Sequence, residues 1–590
     1  MCGINVILSK KEGSLKEPIT AMQKANGFRG PDASNVLVHM GENWNIAAGV
    51  NRLKVIDQDE ASNQPMISDC GNYWLSFNGE VYNYQDLKNR LSQKVEFKTK
   101  SDTEVILYWL KEYGLKGIDD LKGMFALVFI DIRNQNTIVA RDKHGIIPLF
   151  YYKSDSEIII SSSIPAIEDT KLASLSLNEQ AVNEYLAFRH VMAIRTFYYE
   201  VQSVGPGEIL EFNEELKTSQ YLITANQDED TRTLKEVLVD SLSLINESYK
   251  KPGILLSGGV DSTLLLALLN KELGEREIKT YTLDTGPDTR WARKAANQYG
   301  AHHHEILVSI EVLNRVDEYL DKADQPIGDH GAFASWLVAE QAAQNGNVLL
   351  SGAGADELFG GYNRHRAFQF YLKNKNALLM YRHFAERSGT GAILPKNVKA
   401  IINNVENSPH DTYLNFLQNY AVNKFSQSEE IHLAADYIID DLSSALKFDR
   451  NNYLVNDVLA ITNNASMQHN VETRVPYLYD DVVAYATTIS SEEKMKNKGK
   501  APLKNLLSLY GGKQYAQRTK MGFGLPVDKW LRDKSTNWLW DSLDDDNPVY
   551  KYVSKPRLLE MLRLHRAGKV DYHMQLWSIL VLAKWFERKL

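Results

Sequence analysis

The sequence predicts two domains of different class. Residues 1–215 read as an α+β unit of stacked antiparallel sheets with helices. Residues 230–590 read as an α/β unit with a parallel sheet and a helical C-terminal part. Three observations carry this. A chain of 590 residues is too long for one core. Its N-terminal third consists of strand-like runs broken by turn residues, and after "TANQDEDTRTLKE" strands begin to alternate with helical stretches.

In order along the chain, "NIAAGVNRLKVID", "NYWLSFNGEVYN", "GMFALVFIDIRNQNTIVARD" and "SEIIISSS" are rich in Val, Ile, Phe and Tyr and bounded by Gly, Asn and Asp, as strands are. "TEVILYWLKEYG" interrupts them with a helical pattern, and "GEILEFNEELKTSQYLI" is the last strand-like run before the polar boundary. Beyond it, "GILLSGGVDSTLLLALLNKELG" reads as strand, tight loop, helix. "EIKTYTLD" and "NVLLSGAG" are further short strands. From about Ala367 the chain reads as mostly helical, ending in the amphipathic "YHMQLWSILVLAKWFERKL".

Composition excludes several classes. A net charge of −8 argues against nucleic acid or a membrane surface as the main partner. Cys2 and Cys70 are the two cysteines, so no disulfide framework exists and a reducing, cytoplasmic compartment is expected. The N-terminus lacks a cationic lead and a cleavage site, and no apolar run reaches the roughly 18 residues of a membrane span.

The chain opens "MCGINV". Removal of Met1 would leave Cys2 with a free α-amine of pKa near ~8 beside a thiol of pKa near ~8.5. The amine could then act as general base for the thiol, the N-terminal nucleophile arrangement.

In "LLSGGVDSTLL", Ser257, Gly258 and Gly259 lie between an apolar strand and a helix beginning near Asp261. Backbone N–H groups freed of side chains, together with a helix N-terminus, suit an anion. Ser257 and Ser262 add hydroxyls, and Asp261 makes sense beside phosphate if Mg²⁺ bridges the two. No Lys-Ser/Thr pair follows the glycines, so this is not a Walker A loop. Two further strand ends follow: Leu283 in "YTLDTG", where backbone could meet an adenine, and Ser351-Gly352 in "LLSGAGADELFGGYNRH", with Asp356 and Glu357 just beyond. This acid pair could hold a metal or a substrate amino group, or could complement a helix dipole.

With these residues, and with "RGPD", "FNGEVYN", "SDTEV", "RDKHGIIPLFY", "VETRVPYL", "KMGFGLP" and "LWSILVLAKW", the sequence resembles the glutamine-dependent asparagine synthetases. In that family a class II glutaminase of the N-terminal nucleophile type is fused to an ATP-pyrophosphatase domain. The resemblance implies that Cys2 attacks the glutamine side-chain amide, with Asn78 and Gly79 as the oxyanion hole. It places Arg52 on the glutamine α-carboxylate, Asp102 on its α-ammonium and Glu80 as a further ligand. Each has a structural alternative: a hairpin turn at Asn78-Gly79, a helix N-cap at Asp102, a surface ion pair at Arg52.

In the second domain the resemblance implies ATP activation of an acceptor carboxylate as an acyl-adenylate, then displacement of AMP by ammonia. Leu256, Ser257, Gly258, Gly259, Asp261, Ser262, Leu283, Ser351, Gly352 and Lys504 would meet ATP or pyrophosphate, with Lys500 the alternative lysine. Asp261 and Asp356 would hold Mg²⁺; Glu357 and Asp457 would lie near the acceptor. The partners expected are glutamine, ATP and aspartate or another carboxylate, and a homodimer is compatible. The run His302 to His304 reads as strand, because consecutive residues cannot all face one ion.

The sequence departs from the family in two places. Ala353 stands where an acidic residue, thought to assist ammonia attack, is usual; "LKNLLSL" lacks the usual Arg. Three functions follow: asparagine synthesis, amidation of another carboxylate by the same mechanism, or a synthetase-dead glutaminase or nucleotide sensor. The intact "SGGVDS" and Asp356 count against the third, and Cys2 counts against a β-lactam synthetase.

Overall fold

The computed structural model describes the chain apart from residues 42–43, 225–230, 250, 389–400, 419–436, 519–523, 542 and 590. Most of "KMGFGLP" therefore lies outside the described residues. Two six-stranded antiparallel sheets stack in the N-terminal domain. The first runs in the order Val201–Ser203, Phe150–Lys153, Glu157–Ser161, Gly3–Ser9, Asn45–Arg52, Ala33–Met40. The second runs Thr218–Leu222, Glu208–Phe212, Asn136–Arg141, Gly123–Asp131, Tyr73–Val81, Met66–Ile67. This sheet extends to Leu222, beyond the boundary at 215 read from the sequence.

Strand alternation explains the stacking. Ile4, Val6 and Leu8 of the first sheet pack with Met124, Ala126 and Val128 of the second, while Ile7 faces Ile19 and Met22 of a covering helix. On the outer face of the second sheet, Phe77, Phe125 and Leu127 pack against Ile106 and Trp109 of the helix Asp102–Tyr113. Each such buried side chain contributes about 1.5–3 kcal/mol.

The second domain is a five-stranded parallel sheet in the order His302–Leu307, Lys279–Asp284, Gly253–Leu255, Val348–Leu350, Glu472–Arg474. Helices cover both faces, Val260–Lys271 on one and His330–Ala343 on the other. The three histidines enter a strand, as expected. Within the part beyond Ala367 read as mostly helical, the strand Glu472–Arg474 was not foreseen: three residues of "VETRV" complete the sheet. The C-terminal helix His573–Lys589 docks back on the first domain, where Tyr185 donates to the Ser578 carbonyl (2.8 Å) and Trp585 meets Phe197 edge-on.

Candidate active sites

Cys2 leads into the first strand, whose pairing sets Gly3 opposite Asn51 and so brings Cys2 beside Arg52. Asn78 and Gly79 sit within the strand Tyr73–Val81, paired with Ala126 and Phe125, not in a hairpin turn. Gly79 has φ +130°, and a Cβ there would lie 2.0 Å from the Met124 carbonyl oxygen, so glycine is required. Cys2, Arg52, Gly79, Glu80 and Asp102 line one pocket.

Within it the Cys2 N–H donates to Asn78 Oδ1 at 2.6 Å, which fixes the amide and turns Asn78 Nδ2 away from that contact. Nδ2 is buried and has no partner. An orphaned buried donor is costly unless something occupies the space before it, and an oxyanion beside Cys2 is such an occupant. Burial pushes the Cys2 thiol up, opposed by the nearby terminal ammonium and by Arg52.

Arg52 is held by the carbonyls of Asp57 (2.6 Å) and Asp59 (2.9 Å) and by Asn63 Oδ1 (2.9 Å), so part of its fork is spent on orienting itself. Ser101, not Asp102, caps the following helix, through the Thr103 N–H. Burial raises the Asp102 carboxyl to about 6, although the N–H groups of Val81 and Thr103 pull the other way. A ligand ammonium would relieve that burial cost.

Glu80 meets Arg474 at 2.8 Å. Arg474 also meets Glu472 at 2.8 Å, and Glu472 meets the Met1 ammonium at 2.7 Å. This chain of alternating charge crosses the domain interface at under 4% side-chain exposure, and its cations hold Glu472 down to about 2. Sequence reasoning named Glu80 but missed Glu472 and Arg474. Their i, i+2 spacing, which puts both on one strand face, was the available signal.

The second site lies under the parallel sheet's carboxyl ends. Gly258 has φ +64°, and a Cβ there would come within 2.4 Å of Ala292 N. The turn is thus forced, and Gly259 N–H bonds Ser257 Oγ while Ser257 N–H bonds Ser262 Oγ. Ser257, Asp261, Ser262, Ser351, Gly352, Asp356, Glu357 and Asp457 line a cleft of about 1190 Å³, with Ala353 among them. Leu256 and Leu283 are buried, and the Leu283 carbonyl accepts from Thr289 Oγ1 and from Thr285 N–H.

Lys500, not Lys504, enters this site. Lys500 precedes the helix Ala501–Leu509 in a left-handed conformation (φ +56°) and carries its Nζ to 2.7 Å from Asp261 and 2.6 Å from Asp356. Lys504, one turn along, donates to the Asn497 carbonyl. The two carboxylates converge on the Lys500 ammonium, so either could hold a metal only once that lysine swings away. Their donor chemistry fits Mg²⁺, which takes one or two carboxylates and completes its shell with phosphate and water. Among the described residues no group of three His, Cys, Asp or Glu could hold a metal by itself.

Further along the cleft, Glu357 accepts from Tyr362 OH at 2.6 Å, and burial beside Asp356 raises it to about 7. Asp457 occupies a π-helical turn, Leu454–Leu459. Burial and the Asp329 carboxylate raise it to about 7 as well. Asp329 pairs with Arg189 of the first domain at 3.3 Å.

Comparison with known proteins agrees with this geometry. The asparagine synthase family model matches residues 233–587, and the glutamine amidotransferase domain model matches 1–222. "Asparagine synthetase [glutamine-hydrolyzing] 1" of Bacillus subtilis (strain 168) is 25% identical across 99% of this chain and 96% of its own length. "Asparagine synthetase [glutamine-hydrolyzing] 2" of Oryza sativa subsp. japonica is 29% identical across 61% of this chain and 60% of its own. "Amidase chry2" of Gibberella zeae is 26% identical across 62% and 60%. A thiol and an orphaned amide donor in one domain, a glycine loop over paired carboxylates in the other, and a family match across both place this chain in the asparagine synthase family of glutamine-dependent, ATP-using ligases.

Proposed function

We propose that the protein makes asparagine: it hydrolyses glutamine at Cys2, activates aspartate with ATP as an acyl-adenylate, and aminates it with the released ammonia. The observation that carries the synthetase half is the convergence of Asp261, Asp356 and Lys500 beneath the glycine loop. Lys500 suits the pyrophosphate leaving group, and Ser257 and Ser262 supply hydroxyl donors. Mg²⁺, when bound through Asp261 and Asp356, would supply charge compensation to the phosphates.

In the glutaminase half, Cys2 Sγ adds to the amide carbon of glutamine. Asn78 Nδ2 and the Gly79 N–H stabilise the oxyanion, the amine of a processed Cys2 moves the proton, and ammonia leaves a thioester that water hydrolyses. Arg52 and Asp102 hold the glutamine α-carboxylate and α-ammonium. Removal of Met1 is required, because its peptide bond acylates that amine.

Ala353 cannot accept a proton, so the amination step does not use a base at that position. General-base help contributes ~10²–10⁴-fold, so its loss slows amination without abolishing it. Amidation of a bulkier carboxylate is the second reading, favoured by the same small side chain. Pyrophosphate release with saturating ATP and Mg²⁺ separates them. Stimulation by aspartate supports asparagine synthesis, and Ala353→Glu then preserves or raises it. Aspartate silence overturns the assignment. A cytoplasmic location and a homodimer complete the proposal; no helix among the described residues is long and apolar enough to cross a membrane.

A further inference from the structure

Two side chains of the synthetase sheet reach across the domain interface into the glutaminase pocket: Glu472 and Arg474 line it together with Cys2. Glu472 is 2% exposed. Its Oε1 accepts from Arg474 Nε at 2.8 Å, and its Oε2 accepts from the Met1 ammonium at 2.7 Å. The other charges around Cys2 are engaged elsewhere. Arg474 also meets Glu80, Arg52 is anchored by carbonyls and Asn63, and Arg29 donates to Asn463. Asp57 accepts from Ser62 and the Lys100 N–H, and Asp102 accepts from the N–H groups of Val81 and Thr103. Tyr82, buried beside Glu80, is pushed well above the ordinary phenol range and stays protonated. Removal of Met1 takes the ammonium away from Glu472 and leaves a buried carboxylate oxygen without it, a costly arrangement. The same removal creates an ammonium on Cys2, at most about 3.6 Å along the chain.

From this we infer that in the processed chain Glu472 is the positioning residue for the Cys2 α-amine, so that a side chain of the synthetase domain completes the glutaminase site. This deepens the proposed function and rests on its glutaminase half. An ammonium on Cys2 carries three hydrogens. Asn78 Oδ1 already takes one from this nitrogen, at 2.6 Å. Glu472 takes a second, directly or through one water in the space that Met1 leaves. The third is the one exchanged with Sγ. With two hydrogens held, the lone pair of the neutral amine faces Sγ, receives the thiol proton as the thiolate forms, and the carboxylate stabilises the ammonium that results. A third group takes this part wherever a base must be aimed at its nucleophile. Arg474, on the other oxygen, helps to keep Glu472 ionised for it.

The test is glutamine hydrolysis by the full chain as a function of pH, in wild type, Glu472→Gln and Glu472→Asp, each shown by mass spectrometry to have lost Met1. Saturating glutamine keeps the titration of Asp102, which acts on KM, out of the profile. The amine must be neutral to act as base, so kcat falls on the acid side of its pKa. An opposite charge within about 4–6 Å favours the charged form by about 1–3 pH units. Glu472→Gln removes that charge, so the acid limb of kcat should move to lower pH by about one unit or more. General-base help is worth about 10²–10⁴-fold, and a base no longer aimed forfeits part of it. The plateau kcat should therefore fall at least about 10-fold, while the glutamine KM, set by Arg52 and Asp102, stays within a few-fold. Glu472→Asp should return the acid limb towards its wild-type position and recover part of kcat. Ammonia-supported pyrophosphate release reports whether each variant has folded. A folded Glu472→Gln with an unmoved acid limb, or with the wild-type kcat, overturns the positioning role and leaves the glutaminase reading intact. Processed wild type that cannot hydrolyse glutamine overturns both.

Discussion

Around Cys2 the charged side chains other than Asp102 are matched within the protein, whereas under the glycine loop carboxylates outnumber cations. In the first cavity Glu472, Arg474 and Glu80 form an alternating chain, which the Met1 ammonium extends in the unprocessed chain, Arg52 is anchored by carbonyls, and the orphaned group is a neutral amide N–H. In the second, one lysine spans two carboxylates, and burial raises two more, Glu357 and Asp457. The difference follows the chemistry. Amide hydrolysis needs a fixed dipole where an oxyanion develops, and preorganised donors achieve this without reorganisation. Adenylation brings in a polyanion with its cations, so its site is incomplete until substrates arrive.

The largest effect that bears on this contrast is Cys2→Ala. It should abolish glutamine hydrolysis and leave ammonia-supported pyrophosphate release intact, because nucleophile and nucleotide lie in separate domains. Glutaminase activity retained by the alanine variant, with contaminants excluded, would break the first half of the comparison. Retention of Met1, checked by mass spectrometry, should silence hydrolysis equally.

Next comes the lysine. Lys500→Ala should lower pyrophosphate release by on the order of 10²-fold or more, while Lys504→Ala stays within a few-fold. Removing Lys500 also leaves two buried carboxylates uncompensated, a destabilisation of about 3–5 kcal/mol, so a melting curve belongs beside the kinetics and Lys500→Arg serves as the folded control. Equal losses at the two lysines would show that the helix presents both. Asp261→Asn should likewise lose adenylation and keep glutaminase activity; a near-normal rate would reduce Asp261 to a helix N-terminal acid.

Asn78→Ala should lower glutaminase kcat by about 10²–10³-fold with a smaller change in KM, the pattern of a contact made in the transition state. A change confined to KM would mean that Nδ2 binds the substrate and not the oxyanion.

The mildest effect is in pH. Burial raises the Asp102 carboxyl to about 6. Glutamine's ammonium needs the ionised form, so protonation competes with binding. The glutamine KM should be flat above pH 7 and rise as pH falls through about 6, approaching tenfold per unit below it. Asp102→Asn should raise KM and flatten that profile.

These residues also show what a sequence can disclose. Cys2, the glycine turn and Asn78-Gly79 were legible because their chemistry is local: a terminus, a forced turn, adjacent positions on one strand. Even there the strand at Asn78 had a hairpin alternative, and only its partner Ala126 decided between them. The lysine was not legible. Lys500 and Lys504 are one helical turn apart, and the choice depends on Lys500 leaving the helix in a left-handed conformation. "VETRV" was hidden for a different reason. A three-residue strand carries too little alternation to stand out from the helices around it, and the i, i+2 spacing of Glu472 and Arg474 signals a shared face only once that strand is known. The fold class of both domains was readable because long apolar periodicities repeat over many elements.

The measurement that tests the account most directly is oxygen transfer. The acceptor is given with ¹⁸O in its carboxylates, and products are followed under glutamine-dependent turnover. Attack of a carboxylate oxygen on the α-phosphorus expels pyrophosphate. Ammonia then breaks the bond between the acyl carbon and that oxygen. The account predicts AMP carrying one ¹⁸O, unlabelled pyrophosphate, and loss of both glutamine-dependent products when Cys2 is alanine. ADP with label in inorganic phosphate would contradict it.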